Sequence, residues 1–96
     1  MHQAPLSAIA AVILLAVAGC SGDRADVGLG PACAGGLEAG YDELGRAEAD
    51  GLSGSVKWSK AASLLAAAKV QEQFGEYQNC VIKVREARGF LREIRG

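Results

Sequence analysis

The chain is poor in the residues from which catalytic and metal centres are built. It has one histidine, His2, and three cysteines that lie far apart in the sequence. Ser53 and Ser55 have no histidine that could serve as a base, and no glycine-rich stretch leads into the Lys-Ser or Lys-Thr pair of a phosphate-binding loop. These absences predict that the protein is not an enzyme and holds no metal or other cofactor. No small-molecule substrate is evident.

Aromatic side chains and net charge are also scarce. Aromatic residues make up 5% of the chain and the formal net charge is -1, so nothing indicates a nucleic-acid partner. The charge is unevenly distributed, because residues 21–50 contain seven acids and two bases whereas residues 51–96 contain four acids and eight bases. This pattern predicts an acidic first helix packed beside a basic last one, or a basic face for an acidic partner in the cell envelope.

The longest apolar run is short and ends in a characteristic pattern. It has 11 residues, Ala8 to Ala18, too few to cross the ~30 Å core of a bilayer but typical of the central region of a signal peptide. A branched aliphatic residue, two small residues and a cysteine close it: Val17, Ala18, Gly19 and Cys20. This segment resembles the lipobox of bacterial lipoprotein precursors. The residues before the run contain no Lys or Arg, which departs from that family's pattern.

The lipobox resemblance implies a processed and lipid-anchored protein. Residues 1–19 would be removed as a lipoprotein signal peptide, and Cys20 would carry the diacylglyceryl group and further acyl chain. Such chains anchor a protein to a membrane without spanning it. Ser21, in place of the Asp that retains lipoproteins in the inner membrane, implies the outer membrane of a Gram-negative bacterium, with the domain facing the periplasm. An ordinary secretory leader or a short buried helix are the alternatives.

Downstream of Cys20 the sequence predicts a tether and then an all-α domain. Residues 20–36 contain five glycines, one proline and no periodic apolar pattern, which is typical of a flexible linker. Residues 37–96 are predicted to form three helices running up, down and up, over residues 37–50, 56–74 and 77–95. Gly51 and Gly75 would end the first two helices, and Ser55 or Ser59 would cap the second.

Each predicted helix has one apolar stripe that we expect to form the core. The stripe residues are Leu37, Tyr41, Leu44 and Ala47 in the first helix, Ala61, Leu64, Leu65 and Ala68 in the second, and Tyr77, Cys80, Val81, Val84, Ala87, Leu91 and Ile94 in the third. Trp58 is expected to cover the end of this core. The second helix also has apolar residues on its other side, which is typical of a helix that lies between two others.

Once Cys20 is acylated, Cys33 and Cys80 are left as an even pair in an oxidising compartment. In an up-down-up arrangement the starts of the first and third helices lie at the same end, and each cysteine is close to one of these starts. We therefore expect a disulfide between them, which in a small domain with an Ala-rich interior would contribute about 4 kcal/mol. The alternative is two reduced cysteines, with Cys80 as a small core residue.

The second and third helices resemble one repeat of the tetratricopeptide family. The spacing Gly-x-Tyr-x-x-small-x-x-x-large-x-x-Ala is formed by Gly75, Tyr77, Cys80, Val84 and Ala87. Leu64, Ala67 and Ala68 fall at matching places in the preceding helix, although the family has Trp at the place of Leu64 and Tyr at that of Gln71. The resemblance covers residues 61–94 and implies a helical hairpin. A single repeat cannot form the concave surface that stacked repeats use for binding.

The third helix also carries the candidate partner surface. Ile82 and Phe90 point away from its apolar stripe, which favours a contact with a protein partner or self-association, unless they only border the core. Its basic residues are Lys83, Arg85, Arg88, Arg92 and Arg95. They either offset the helix dipole or bind an acidic group, so the alternative function is contact with a cell-wall polymer or lipid head groups.

Overall fold

The computed structural model describes residues 28–96, and this part of the chain is all-helical, as predicted. Its helices are α1 (Leu29–Ala49), α2 (Val56–Gln73) and α3 (Tyr77–Arg95). The predicted bounds of α2 and α3 are correct to within one residue. The predicted signal peptide, the lipobox and Cys20 lie outside the described residues.

The start of α1 differs from the prediction. The helix begins at Leu29, eight residues before Leu37, so residues 29–36 are helical and not part of a tether. Pro31 lies in the first turn, where the missing N–H would have no partner in any case. Gly30 and Gly36 face side chains of α3, whereas Gly35 has no neighbour within 4 Å of an added Cβ. The contacts at the first two outweigh the low helix propensity of the segment.

Both turns between helices use a glycine in the left-handed region of backbone conformation. Gly51 has φ 82° and Gly75 has φ 73°, as their predicted roles at helix ends require. After α1, the N–H of Leu52 donates to the carbonyl of Ala47, and after α2 the N–H of Glu76 donates to the carbonyl of Gln71. Both are the six-to-one hydrogen bonds of a Schellman motif. The side chain of Ser55 accepts from the N–H of Lys57 and caps α2.

The core lies between the three helices and is built mostly from small residues. Its buried members are Cys33, Leu37, Ala47, Ala61, Leu65, Ala68, Cys80, Val84, Ala87 and Leu91. Most of the predicted stripe residues are buried or packed against this core. Tyr41 is the exception, since 39% of it is exposed. Trp58 packs at the core edge and its ring N–H donates to the carbonyl of Leu44, so it covers the core as expected.

Contacts between the helix termini define two ends of the domain. At what we call the disulfide end, Cys33 near the start of α1 is bonded to Cys80 near the start of α3, with Cα atoms 5.6 Å apart. At the opposite end, which we call the loop end, Arg95 of α3 lies 3.7 Å from Asp50 after α1, and Lys57 of α2 lies 2.9 Å from Glu93. Cys33 and Cys80, which form the disulfide, are both fully buried.

Two glycines of α1 let it approach its neighbours closely. A Cβ added at Gly36 would lie 2.8 Å from a methyl of Val84 in α3, and one added at Gly40 would lie 2.6 Å from a methyl of Leu65 in α2. Both distances are shorter than van der Waals contact. The glycines therefore set the spacing of α1 from the rest of the domain, a role that their sequence pattern did not predict.

Candidate protein-binding groove

A shallow groove of about 450 Å³ runs between α2 and α3 near the loop end. Its apolar lining comes from Val56 and Leu64 of α2 and Phe90 of α3, and its polar lining from Ser59, Lys60, Ser63 and Glu86. The groove is open to solvent. It therefore offers an apolar strip bordered by hydroxyl and charged groups, the pattern of a contact site for an apolar side chain of a partner.

Helical spacing brings these side chains together. On α2, Val56, Lys60 and Leu64 are four residues apart and so form one row, and on α3 Glu86 and Phe90 are also four apart. The rows meet where the first turn of α2 contacts the last turns of α3, at the Lys57–Glu93 ion pair. The Lys60 ammonium lies 5.7 Å from the centre of the Phe90 ring, a cation–π distance that restrains both side chains.

The groove lining has no chemistry beyond binding. It contains one base and one acid, Lys60 and Glu86, and so has no net charge. Its hydroxyls belong to Ser59 and Ser63, and no histidine or second carboxylate lies among the lining residues to activate them. The groove can hold an apolar group of a partner, and its hydroxyl and charged groups can form hydrogen bonds with the polar groups around that apolar group.

The structure separates the two apolar residues of the predicted partner surface. Phe90 is half-buried, packs against the core and lines the groove. Ile82 is 51% exposed, two turns nearer the disulfide end, and is not part of the groove. They lie on the same side of α3, but at eight residues apart they are about 12 Å from each other along the helix.

The basic residues of α3 are likewise divided. Arg88 points to α1, where its Nε donates to Glu43 Oε1 at 2.6 Å and its Nη2 lies 3.5 Å from the other carboxylate oxygen. This hydrogen bond raises the pKa of Arg88 above its usual value. Arg85 and Arg92 are exposed and form no ion pair within residues 28–96. The predicted packing of an acidic α1 beside a basic α3 is thus present where Glu43 pairs with Arg88. Arg85 and Arg92 remain exposed to solvent.

A second depression of about 440 Å³ lies at the loop end beside the arginines. It is lined by Glu43, Leu91, Arg92, Arg95 and Gly96. The carboxylates of Glu43 and Asp50 already engage Arg88 and Arg95, so the local positive charge is largely balanced. This balance makes the depression a poorer site for an anionic ligand than the arginine count of α3 suggests.

Sequence reasoning found Phe90 but missed the α2 side of the groove. Ser59, Lys60 and Ser63 have no distinguishing pattern of their own. Val56, the first residue of α2, is 71% exposed, but its place in the sequence pattern does not assign it to a surface. The signal that could have found them is the pair of opposite charges at Lys57 and Glu93, which form an ion pair between the first turn of α2 and the last turn of α3.

Within residues 28–96, no helix is both long enough and apolar enough to cross a membrane. Comparison of the chain with protein-family models, with curated proteins and with solved structures gives no match.

Proposed function

We propose that the protein is a non-enzymatic lipoprotein of the outer membrane whose helical domain binds another protein in the periplasm. Cys20 carries the lipid anchor, and the domain serves as an interaction or accessory module of an envelope assembly. The lipobox pattern of Val17, Ala18, Gly19 and Cys20 supports the anchor. The groove between α2 and α3 is the observation that carries the binding function.

A protein partner fits this groove better than a small molecule does. The groove is open along its length and has an apolar strip with a polar border, as protein interfaces have. An aromatic residue, Phe90, lines it, and aromatic residues are among those that contribute most to binding energy at interfaces. An apolar side chain on a helix or an extended segment of the partner would pack between Phe90 and Leu64.

The proposal includes an up-down-up course of the helices and a repeat-like hairpin formed by α2 and α3. The start-to-start disulfide and the Arg95–Asp50 contact support parallel α1 and α3. Burial of Cys80, Val84 and Ala87 supports the resemblance to a tetratricopeptide repeat, since these are the positions where the family packs its helices closely. In that interpretation α1 takes the place of a neighbouring repeat.

Site-specific crosslinking in cells tests the groove. A photoreactive residue at position 59 should give an adduct of one defined mass. Ser63→Arg should abolish it, because the long charged side chain would fill the groove without entering the core. Ser53→Arg is the matched control, since Ser53 is exposed in the turn before α2 and does not line the groove. An adduct that survives Ser63→Arg would refute binding at this place.

Mass spectrometry of the protein purified from membranes tests the anchor. The expected product begins at Cys20 and carries acyl chains. An intact Met1, or an unmodified Cys20 on a protein found in the soluble fraction, would show that the lipobox interpretation is wrong.

A second candidate function is contact with an anionic cell-wall polymer or lipid head groups through α3. The exposed guanidinium groups of Arg85 and Arg92 favour it. The double substitution Arg85→Glu and Arg92→Glu should then release the protein from isolated cell-wall polymer, whereas Arg46→Glu on α1 should not. Binding that is unchanged by the double substitution would exclude this function.

A further inference from the structure

Three of the five exposed large apolar side chains of residues 28–96 belong to the disulfide end, the other two being Tyr41 and Val56. Val70 and Phe74, at the end of α2, are 52% and 73% exposed, and Ile82, near the start of α3, is 51% exposed. On α2, both Val70 and Phe74 point away from Ala61, Leu65 and Ala68, the residues that it buries. Val70 and Phe74 are four residues apart and lie along one side of α2, so together they expose more apolar surface than a single scattered residue does.

The same end is where the chain arrives from Cys20. Gly30, in the first turn of α1, faces the ring of Tyr77, the first residue of α3, and Phe74 precedes Tyr77 by three residues. The chain therefore enters the domain at the end where α2 finishes and α3 begins. The loop end, which carries the groove, lies at the other end of α3, whose 19 residues span about 28 Å.

We propose that the disulfide end docks on the lipid bilayer and inserts Phe74 and Val70, with Ile82 at the edge of the contact. This inference rests on the proposed anchor at Cys20. Gly28 is eight positions after that anchor, a length of chain that reaches about 28 Å when fully extended and about 16 Å on average when flexible. The anchor thus holds the disulfide end within reach of the membrane at all times.

The contact is apolar. The charged residues within four positions of Val70, Phe74 or Ile82 comprise three bases and three acids, so they give no net attraction to anionic lipid: Lys69, Lys83, Arg85, Glu72, Glu76 and Glu86. Docking at this end directs the groove away from the membrane, where a periplasmic partner can reach it. Because no net charge is involved, salt should leave the docking unchanged.

Tryptophan fluorescence with brominated lipids tests the orientation. The full chain is expressed, purified from membranes in its acylated form, and reconstituted into vesicles of phosphatidylethanolamine and phosphatidylglycerol with brominated acyl chains. Phe74→Trp and Val56→Trp are compared in a Trp58→Phe background. The two sites are a matched pair, since Phe74 and Val56 are 73% and 71% exposed and flank the same helix.

The tryptophan at position 74 should lose most of its fluorescence, and the tryptophan at position 56 should lose none, in low and high salt alike. Quenching at both positions would mean that the domain lies flat, and quenching at neither would mean that it does not dock; either result overturns the proposal. If Trp58→Phe prevents folding, the variants keep Trp58 and its own signal is subtracted.

The mass of the purified protein separates this proposal from the one on which it rests. Acylated protein that shows no quenching at position 74 overturns the docking alone and leaves the anchor standing. Protein without acyl chains overturns the anchor, and with it the reason for this end to be at the membrane.

Discussion

At the scale of single residues, the positions that matter most for packing in α1 are those without side chains. Gly36 and Gly40 lie one turn apart and face α3 and α2, respectively. Each lets a methyl group of a neighbouring helix approach the α1 backbone. Each glycine destabilises the helix by about 1 kcal/mol relative to alanine, and the closer contact between helices offsets this cost.

Substitution of Gly40 should reveal this role. Gly40→Ala should lower the free energy of unfolding by about 1 kcal/mol, because the new Cβ would lie 2.6 Å from a methyl of buried Leu65 and the cost of overpacking exceeds the gain in helix propensity. Gly45→Ala is the control, with nothing within 4 Å of its Cβ, and should raise stability by about 0.5–1 kcal/mol. Urea unfolding measures both. Equal stabilisation by the two substitutions would show that α1 can move away.

The ion pair between Arg88 and Glu43 should be stronger than the others on the surface. Its side chains are 36% and 22% exposed, against 62% and 57% for the pair Arg46–Asp42 on α1. A double-mutant cycle to alanine should give a coupling of about 1 kcal/mol for Arg88–Glu43 and about 0.3 kcal/mol for Arg46–Asp42. Couplings of equal size would mean that the interhelical contact is as weakly held as the exposed one.

At the scale of helices, the early start of α1 is the largest difference from the sequence-based prediction. Leu29 to Gly36 is rich in glycine and would not form a helix in isolation. The disulfide at Cys33 and the contacts of Gly30 and Gly36 with α3 hold it there. These first two turns therefore depend on tertiary contacts more than any other helical segment.

Amide hydrogen exchange tests this dependence. The amides of residues 34–36 should be protected in the oxidised protein, because they belong to α1, and should exchange near the rate of an unfolded chain after reduction. Residues 84–87, in the middle of α3, should lose less protection under the same treatment as long as the reduced protein stays folded. Fast exchange of residues 34–36 in the oxidised protein would mean that this segment is a flexible tether, as the sequence predicted, and not a helix.

At the scale of the whole molecule, a small core makes the disulfide a main source of stability. Among the ten buried apolar side chains of residues 28–96, only those of Leu37, Leu65, Val84 and Leu91 are larger than the side chains of Ala or Cys. A domain of this size rarely gains more than about 3–5 kcal/mol from its core. The bond between Cys33 and Cys80 joins positions 47 residues apart, so it restricts most of the unfolded chain.

Removal of the disulfide should bring the domain close to unfolding. Cys33→Ala with Cys80→Ala should lower the free energy of unfolding by about 4 kcal/mol, as measured by thermal or urea denaturation. Wild-type protein reduced with dithiothreitol after brief unfolding is the control for lost packing at the two alanines. A loss below about 1 kcal/mol in both samples would mean that the helices are stable without the disulfide, which would contradict the low stability expected from so small a core.

The amino-acid sequence by itself determined the all-α class, the bounds of α2 and α3, the glycine-terminated turns and the cysteine pair. Apart from the cysteine pair, which follows from the number of cysteines and the predicted order of the helices, these features depend on local patterns: apolar periodicity, the backbone freedom of Gly51 and Gly75, and the cap at Ser55. The tertiary structure decided the rest. It made residues 29–36 helical, paired Arg88 with Glu43, left Tyr41 exposed, and joined Phe90 to α2 in one groove. Each of these outcomes depends on contacts between distant residues, whose energies no local pattern contains.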